Sequence, residues 1–374
     1  MVEQPILRRL TLTDFRSYKA LRFIPAAPVS VFTGPNGSGK TNLLEAVSML
    51  VPGRGLRGAK FSELARQGVE ASGGWAVAAS FGAGGESFEI GTGTAEQNPD
   101  RRVFRLDGAV PRAQTEISAR LAAVWLTPQM DRLFTETASG RRKFLDRLVV
   151  ALEPAHAREI AAFEAAAAQR NRLLAEQRLD PDWLAGLEDS MSRHAVAATA
   201  GRLALISRLN AALEAGVAAP FPVVNLALEC VIGARLGQAP ALEVEDWLRL
   251  ALAAGRVADA ERGAAGFGPQ RADLAIADAQ TGRPAGLSST GQQKSMLIGI
   301  ILGHAALIAS ARGGAPLLLL DEPLVHLDAG RRQALFAALA ARGLQALLTG
   351  TDPEPFKPLD AAYYTVRDSR IDPA

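Results

Sequence analysis

The sequence predicts an α/β fold, a mixed sheet with flanking helices, interrupted by a helical insert. Three observations carry this expectation. Near the start, an apolar strand runs into Gly34-Pro35-Asn36-Gly37-Ser38-Gly39-Lys40-Thr41 and then into a helix. After Gly263, strands and helices alternate, the pattern of a mostly parallel sheet. Between these regions, residues 139–217 are rich in Ala, Leu, Arg and Glu, and their few glycines stand singly.

The bulk properties set limits. A chain of 374 residues makes two to three domains the prior, one of them open to being split. With 48% hydrophobic residues it can bury a full core, which excludes global disorder. Its 41 basic and 39 acidic residues leave a formal charge of +2, so any nucleic-acid surface must be a local patch and not a polybasic tail. Cys230 is the single cysteine, which excludes an intrachain disulfide and a cysteine metal cluster. His156, His194, His304 and His326 are scattered without ligand spacing. A reducing compartment fits this usage. The N-terminus lacks the charged start, apolar core and cleavage site of a signal peptide. No window reaches about 18 uninterrupted apolar residues, and the longest candidate, Met296 to Ala309, contains His304. A soluble, cytoplasmic protein is expected.

The elements follow in order. Ile6 to Leu12, Leu21 to Ile24 and Val29 to Thr33 read as short strands, and Lys40 to Met49 as a helix. Trp75 to Phe81, Phe88 to Thr92 and Val103 to Leu106 read as three more strands between Gly-rich turns. Two long helices are expected in the next region, broken at Asp180-Pro181, with Pro154 and Pro181 in their opening turns. Leu184, Leu187, Met191, Ala195, Ala198, Arg202, Leu205, Leu209 and Leu213 recur at spacings of three and four, one face of the second helix. Each helix would be about 35–50 Å long. The pair reads as a short antiparallel hairpin, either a protruding arm or two ordinary packed helices. Then come a strand at Asp273 to Ala279, a helix at Gln292 to Ser310, a strand at Pro316 to Asp321, a helix at Arg331 to Ala340 and a strand at Gln345 to Thr349. The expected domains are a first part of an α/β head over 1–110, a mainly helical insert over 111–263 and a second head part over 264–374.

The chemistry concentrates in three motifs. The segment 34–41 matches GxxxxGK[ST] without a gap and has strand before it and helix after it. Its glycines let backbone N–H groups curl around phosphate oxygens, and the helix N-terminus adds the positive end of its dipole. Lys40 would reach the β- and γ-phosphates of ATP, and the Thr41 hydroxyl would ligate Mg²⁺. The second motif is Leu317-Leu318-Leu319-Leu320-Asp321-Glu322-Pro323, a strand apolar on both faces that ends in two carboxylates. Asp321 would hold Mg²⁺ and Glu322 would polarise the attacking water, the pattern of a hydrolysing ATPase. The third is Ser288-Ser289-Thr290-Gly291-Gln292-Gln293-Lys294, which leads into a helix. Ser289 or Thr290 can simply cap that helix. The second reading is an ABC-type signature, in which Ser289, Thr290, Gly291 and Gln292 complete the nucleotide site of a second subunit. Asp328 stands at the position of the loop that crosses such a dimer interface.

These residues together resemble the RecF family, within the SMC-like ABC group. The opening Leu10-Thr11-Leu12-Thr13-Asp14-Phe15-Arg16-Ser17-Tyr18 is similar to the family's first strand and Phe-Arg-Asn-Tyr-like turn. Arg54 and Arg57 follow the P-loop helix, where the family carries arginines near the nucleotide, so the resemblance implies ATP contacts for Arg16 and Arg57. Ser139 through Asp146, Gln169-Arg170-Asn171-Arg172-Leu173-Leu174 and Ser289 through Lys294 also resemble family segments. Gly268-Pro269-Gln270-Arg271-Ala272-Asp273-Leu274 departs from its counterpart, with Gln270 in place of a histidine. Gly140 stands where a proline is usual. His326 is unusual too, read as a capped loop residue or as a catalytic one. The resemblance implies an ABC-type P-loop ATPase head and ATP with Mg²⁺ as cofactors. It also implies a homodimer that sandwiches two ATPs, slow hydrolysis, and clamping of DNA near gaps with RecO and RecR so that RecA can load.

Basic clusters at Arg101-Arg102, at Arg141-Arg142-Lys143, and at Arg170 and Arg172 are either solvated faces or phosphate contacts. Arg141 and Arg142 have the further option of ion pairs with Asp146 or Glu136. The alternative function is a transporter's nucleotide-binding subunit. The helical insert and the Thr-Gly-Gln-Gln signature argue against it, as does the lack of a clear Gln-loop beyond Gln129.

Overall fold

A computed structural model describes residues 5–68, 73–83, 85–177 and 180–374 of the chain. The N-terminal part contains β1 (Ile6–Phe15), β2 (Tyr18–Phe23), β3 (Val29–Thr33), α1 (Lys40–Ser48), β4 (Trp75–Ala83), β5 (Glu86–Ala95), β6 (Asn98–Leu106), α2 (Gln114–Arg120) and β7 (Ala123–Leu126). The middle contains α3 (Ala138–Leu152), α4 (His156–Ala175), α5 (Pro181–Glu214), β8 (Val224–Glu229), α6 (Val231–Leu236), α7 (Ala241–Ala254), α8 (Arg256–Arg262) and β9 (Asp273–Asp278). The C-terminal part contains α9 (Thr290–Arg312), β10 (Leu317–Leu320), α10 (Ala329–Ala341), β11 (Ala346–Gly350), β12 (Ala362–Arg367) and β13 (Arg370–Pro373).

Two compact units result. The first, the head, comprises residues 1–131, 217–222 and 289–374; the second, the arm, comprises 132–216 and 223–288. These limits differ from the expected 1–110, 111–263 and 264–374, for a pairing reason. β7 lies parallel beside β10, which keeps 111–131 in the head. β9 pairs with β8, which draws 264–288 into the arm.

The head contains two sheets. One is antiparallel in the order β2-β1-β4-β5-β6. The other runs β13-β12-β3-β11-β10-β7, with every pair parallel except the terminal β12–β13 hairpin. β3, β7, β10 and β11 are buried at every residue, as continuous apolar runs require when both faces are covered. Helix α9 is apolar around its circumference for the same reason. By length and hydropathy it could cross a membrane, yet 72% of its most apolar window is buried within the protein.

In the arm, the stripe on α5 is buried from Leu184 to Leu213, with Leu187 half-buried. Asp180 caps the helix through the amides of Asp182 and Trp183, with Pro181 in the first turn. The expected pair of helices gains a predecessor. α3 precedes Pro154, which sits in the turn before α4. At 20 residues α4 spans about 30 Å, shorter than expected, while α5 has 34 residues and spans about 50 Å. Phe163 and Ala166 of α4 pack with Met191, Ala195 and Val196 of α5 and with Val244, Leu248 and Leu252 of α7. Burying each of the Phe, Met, Val and Leu side chains among these contributes about 1.5–3 kcal/mol.

Candidate functional site: a nucleotide pocket at the ends of three parallel strands

β3, β10 and β11 lie side by side, and each ends at the same rim of the sheet. In a parallel sheet this rim is where loops gather ligands. The loop after β3 carries the glycine motif and opens α1, whose N-terminus has no side-chain cap. Its amides are therefore available to an anion. Gly34 has φ 148°, and a Cβ there would stand 2.2 Å from the Val366 carbonyl oxygen. Gly39 has φ 109°, and its Cβ would stand 3.0 Å from the Tyr18 hydroxyl. Only glycine serves at these two positions.

The loop is braced on two sides. The buried Tyr18 donates from its hydroxyl to the Gly39 carbonyl at 3.1 Å. Burial raises the Tyr18 pKa, which keeps it a donor. The Ser369 amide donates to the Ser38 carbonyl at 3.1 Å, from the turn of the β12–β13 hairpin. Asp368 and Ser369 hold that turn in the left-handed region, at φ 47° and 58°. The Ser38 hydroxyl is buried and unpartnered. Lys40 turns its ammonium onto the carbonyls of Gly34 and Pro35, at 2.7 and 2.8 Å. Burial lowers its pKa, against the carboxylates of Glu322 and Asp321, which raise it.

The carboxylates arrive from β10. The Asp321 Oδ1 accepts from Thr41 at 3.0 Å and from Thr349 at 2.7 Å. Glu322 follows in the left-handed region at φ 49°, half-buried, with its amide donating to the Thr349 hydroxyl at 3.0 Å. Lys40, Thr41, Asp321 and Glu322 are thus brought to one place. The free Ser38 hydroxyl, the uncapped α1 and the converging Thr41 and Asp321 oxygens fit a nucleotide with its divalent cation.

Two residues expected at the nucleotide are held by a buried carboxylate. Arg16 reaches both oxygens of Glu45 at 2.9 Å, and Arg57 reaches Glu45 at 3.4 Å and Asn42 at 3.0 Å. Glu45 is only 1% exposed and sits one turn along α1 from Thr41.

Ser289 caps α9, with Gln292 returning the hydrogen bond to the Ser289 amide at 3.0 Å. Thr290 and Gln292 are exposed. A Cβ on Gly291 would stand 2.9 Å from the His326 carbonyl oxygen and 3.0 Å from Arg331. The signature therefore abuts the loop that ends in Asp328, which caps α10 through the Arg331 amide at 2.8 Å. Lys294, fully buried, pairs with Asp131 at 2.7 Å.

The basic clusters have separate fates. Arg101 is exposed on β6. Arg102 lies over the rings of Phe61 and Phe104, and burial pushes its pKa down to about 10. Arg141 pairs with Asp273 at 2.6 Å, and Arg142 donates to the Ala272 carbonyl at 2.7 Å. Asp146 is occupied by Arg202 and His156 instead. Arg170 is buried between Glu188 and Asp259. Gln270 donates to the Phe267 carbonyl within its own loop. Thr349, Glu45 and the β12–β13 turn are structural contributors that motif spacing does not reveal, whereas Tyr18 closes the opening motif. Among the former, the one available signal is a lone hydroxyl closing the apolar run Ala346-Leu347-Leu348.

The family model of the RecF/RecN/SMC N terminal domain matches residues 6–370. The chain is 43% identical over 378 residues to the DNA replication and repair protein RecF of Mesorhizobium japonicum, spanning 100% of this chain and 99% of that one. It is 45% identical over 362 residues to the protein of the same name from Agrobacterium fabrum, spanning 96% of each. Among solved structures it is similar to the recombination mediator protein RecF-ATPrS in the RecFOR pathway, with a TM-score of 0.86 at 21% identity over 100% of this chain and 99% of that one. It is also similar to the Smc head domain with an extended coiled coil of Pyrococcus furiosus, with a TM-score of 0.54 at 14% identity over 99% and 96%. The fold is that of RecF and of the Smc head domain. With the family model and full-length relatives both matching, the chain belongs to the RecF family.

Proposed function

We propose that this protein is an ATP-dependent DNA-binding protein of replication and recombinational gap repair, a cytoplasmic, ATP-gated dimeric clamp. The observation that carries the reading is the convergence of Lys40, Thr41, Asp321 and Glu322 at one sheet rim. The name borne by its relatives, DNA replication and repair protein, supports the process, and the family assignment leaves a transporter subunit without support. A structure of a relative with an ATP analogue supports the nucleotide.

In this reading Lys40 and the loop amides hold the triphosphate, while Thr41 and Asp321 hold Mg²⁺. The cation, when bound, offsets charge developing on the phosphate oxygens. Glu322 orients and deprotonates the attacking water. Ser289 and Gly291 of one subunit close over the nucleotide of the other, with Asp328 at the crossing. Closure grips duplex, gapped or single-stranded DNA, and slow hydrolysis releases it. Arg101, Lys143 and Arg172 are the exposed candidates for phosphate contact among the basic residues singled out, and Arg172 is already paired with Glu176. RecO and RecR are the partners that the relative's pathway suggests, with RecA loading and SOS induction downstream.

Sedimentation of Glu322→Gln with gapped duplex tests this. ATP is expected to produce a dimer that carries DNA, with hydrolysis lost. A monomer that binds ATP and stays off DNA overturns the clamp.

A further inference from the structure

The end of β10 contains a hydrogen-bonding exchange that the roles above leave unused. Along β10, amides alternate between neighbours: Leu318 donates to Gln345 on the β11 side, and Asp321 donates to Leu126 of β7. By that alternation the Glu322 amide faces β11 again. It finds there a side chain, the Thr349 hydroxyl at 3.0 Å, in place of a ladder carbonyl. The same hydroxyl spends its proton on Asp321 Oδ1 at 2.7 Å. Thr349 is fully buried, so neither bond has water as a substitute. Glu322 holds a left-handed conformation that a side chain adopts only when its surroundings impose it.

We infer that Thr349 is a positioning residue for hydrolysis, tying the backbone of Glu322 to the carboxylate of Asp321 through one hydroxyl. The inference rests on the proposed role of Glu322 as the group that activates water. One hydroxyl sets both the direction in which the Glu322 side chain leaves the strand and the lone pair that Asp321 keeps for the site. Without it, the Glu322 peptide is free to relax from φ 49°, and its carboxylate leaves the attack line. The loop amides and Lys40, which would hold the triphosphate, are not touched by this hydroxyl; its one link to nucleotide binding is through Asp321, so affinity is compared without Mg²⁺.

The test compares Thr349→Val, which keeps the shape and removes the oxygen, with Thr349→Ser, which keeps the oxygen. Single-turnover hydrolysis and the affinity for a fluorescent ATP analogue are measured for both, and for each in the Glu322→Gln background. Thr349→Val is expected to slow hydrolysis about 10- to 100-fold with affinity nearly unchanged. Thr349→Ser is expected to restore the rate. In the Glu322→Gln background, where hydrolysis is already lost, Thr349→Val should leave affinity for the ATP analogue and the melting temperature close to those of Glu322→Gln alone; a packing defect would lower both. Wild-type hydrolysis by Thr349→Val overturns the inference, as does equal loss in the Val and Ser variants. If Thr349→Val does not fold, Thr349→Cys, which keeps the volume and weakens both hydrogen bonds, takes its place with the same expected order. Undiminished hydrolysis by Glu322→Gln alone would instead sink the water-activation reading, a separate failure.

Discussion

Thr41 and Asp321 are 280 positions apart in the chain and 3.0 Å apart in the fold. One opens the helix after the phosphate loop, and the other ends the buried strand β10 two places away in the sheet. Their oxygens converge beside the ammonium of Lys40.

The charge on Lys40 should therefore control nucleotide affinity. Lys40→Met is expected to abolish ATP binding in an equilibrium binding assay. Because burial lowers the pKa of Lys40, the free protein should lose ATP affinity as pH rises through that lowered value, before an ordinary lysine near 10.4 would deprotonate. Stability has the opposite sign. Between the lowered folded value and the unfolded one, the unfolded chain binds more protons, so this residue's contribution to stability increases as pH rises. Affinity that stays flat until the ordinary lysine range would contradict the assignment.

Gly34 should not tolerate a side chain. An alanine Cβ would press on the Val366 carbonyl at a φ that L-residues avoid. Gly34→Ala is expected to cost about 1–3 kcal/mol and to displace the β12–β13 hairpin from the loop. Thermal denaturation and ATP affinity should fall together. A variant with normal melting and normal affinity would show that the hairpin is not a brace.

Ser289 separates capping from closure. Ser289→Ala removes the cap and should cost about 1 kcal/mol in stability. Ser289→Arg should leave ATP binding intact and block ATP-induced dimerisation, as read by light scattering. A normal dimer in that variant would refute a trans role for the signature.

Neighbouring arginines on β6 should behave differently. Arg101→Ala is expected to weaken DNA binding and to lower the salt slope by about one unit. Arg102→Ala should leave the slope unchanged and lower stability by about 0.5–2 kcal/mol, because its guanidinium packs on Phe61 and Phe104. Equal slopes for Arg101→Ala and wild type would remove Arg101 from the interface.

The phosphate loop, the Asp-Glu strand end and the capped signature helix were legible because their chemistry is local. Each needs fixed residue types at fixed spacing. The α5 stripe was legible for the same reason, since one helix face sets its own period. Thr349 was not, because its partners lie 27 and 28 positions away and nothing near it carries chemistry. β7 was too short to stand out, and its four residues are a strand only because β10 lies beside them. Arg16 and Arg57 have a partner that position does not reveal. The family pattern pointed to the nucleotide, whereas packing gave both guanidinium groups a buried carboxylate, Glu45.

Strand order also constrains the timing of assembly. β3, which delivers the phosphate loop, sits between β11 and β12, and Thr33 bonds to a carbonyl 331 positions further on. The strands of the antiparallel sheet pair with one another, yet Leu7 of β1 exchanges hydrogen bonds with the Gln345 side chain and Phe23 of β2 packs on Tyr364, so this sheet too waits for the C-terminal part, whereas the arm draws on residues up to 288. A ribosome must therefore translate through β12 before β3 gains both its flanking strands. The nascent chain should carry an idle ATP site through most of its synthesis, and the protein should acquire nucleotide only as its final strands emerge.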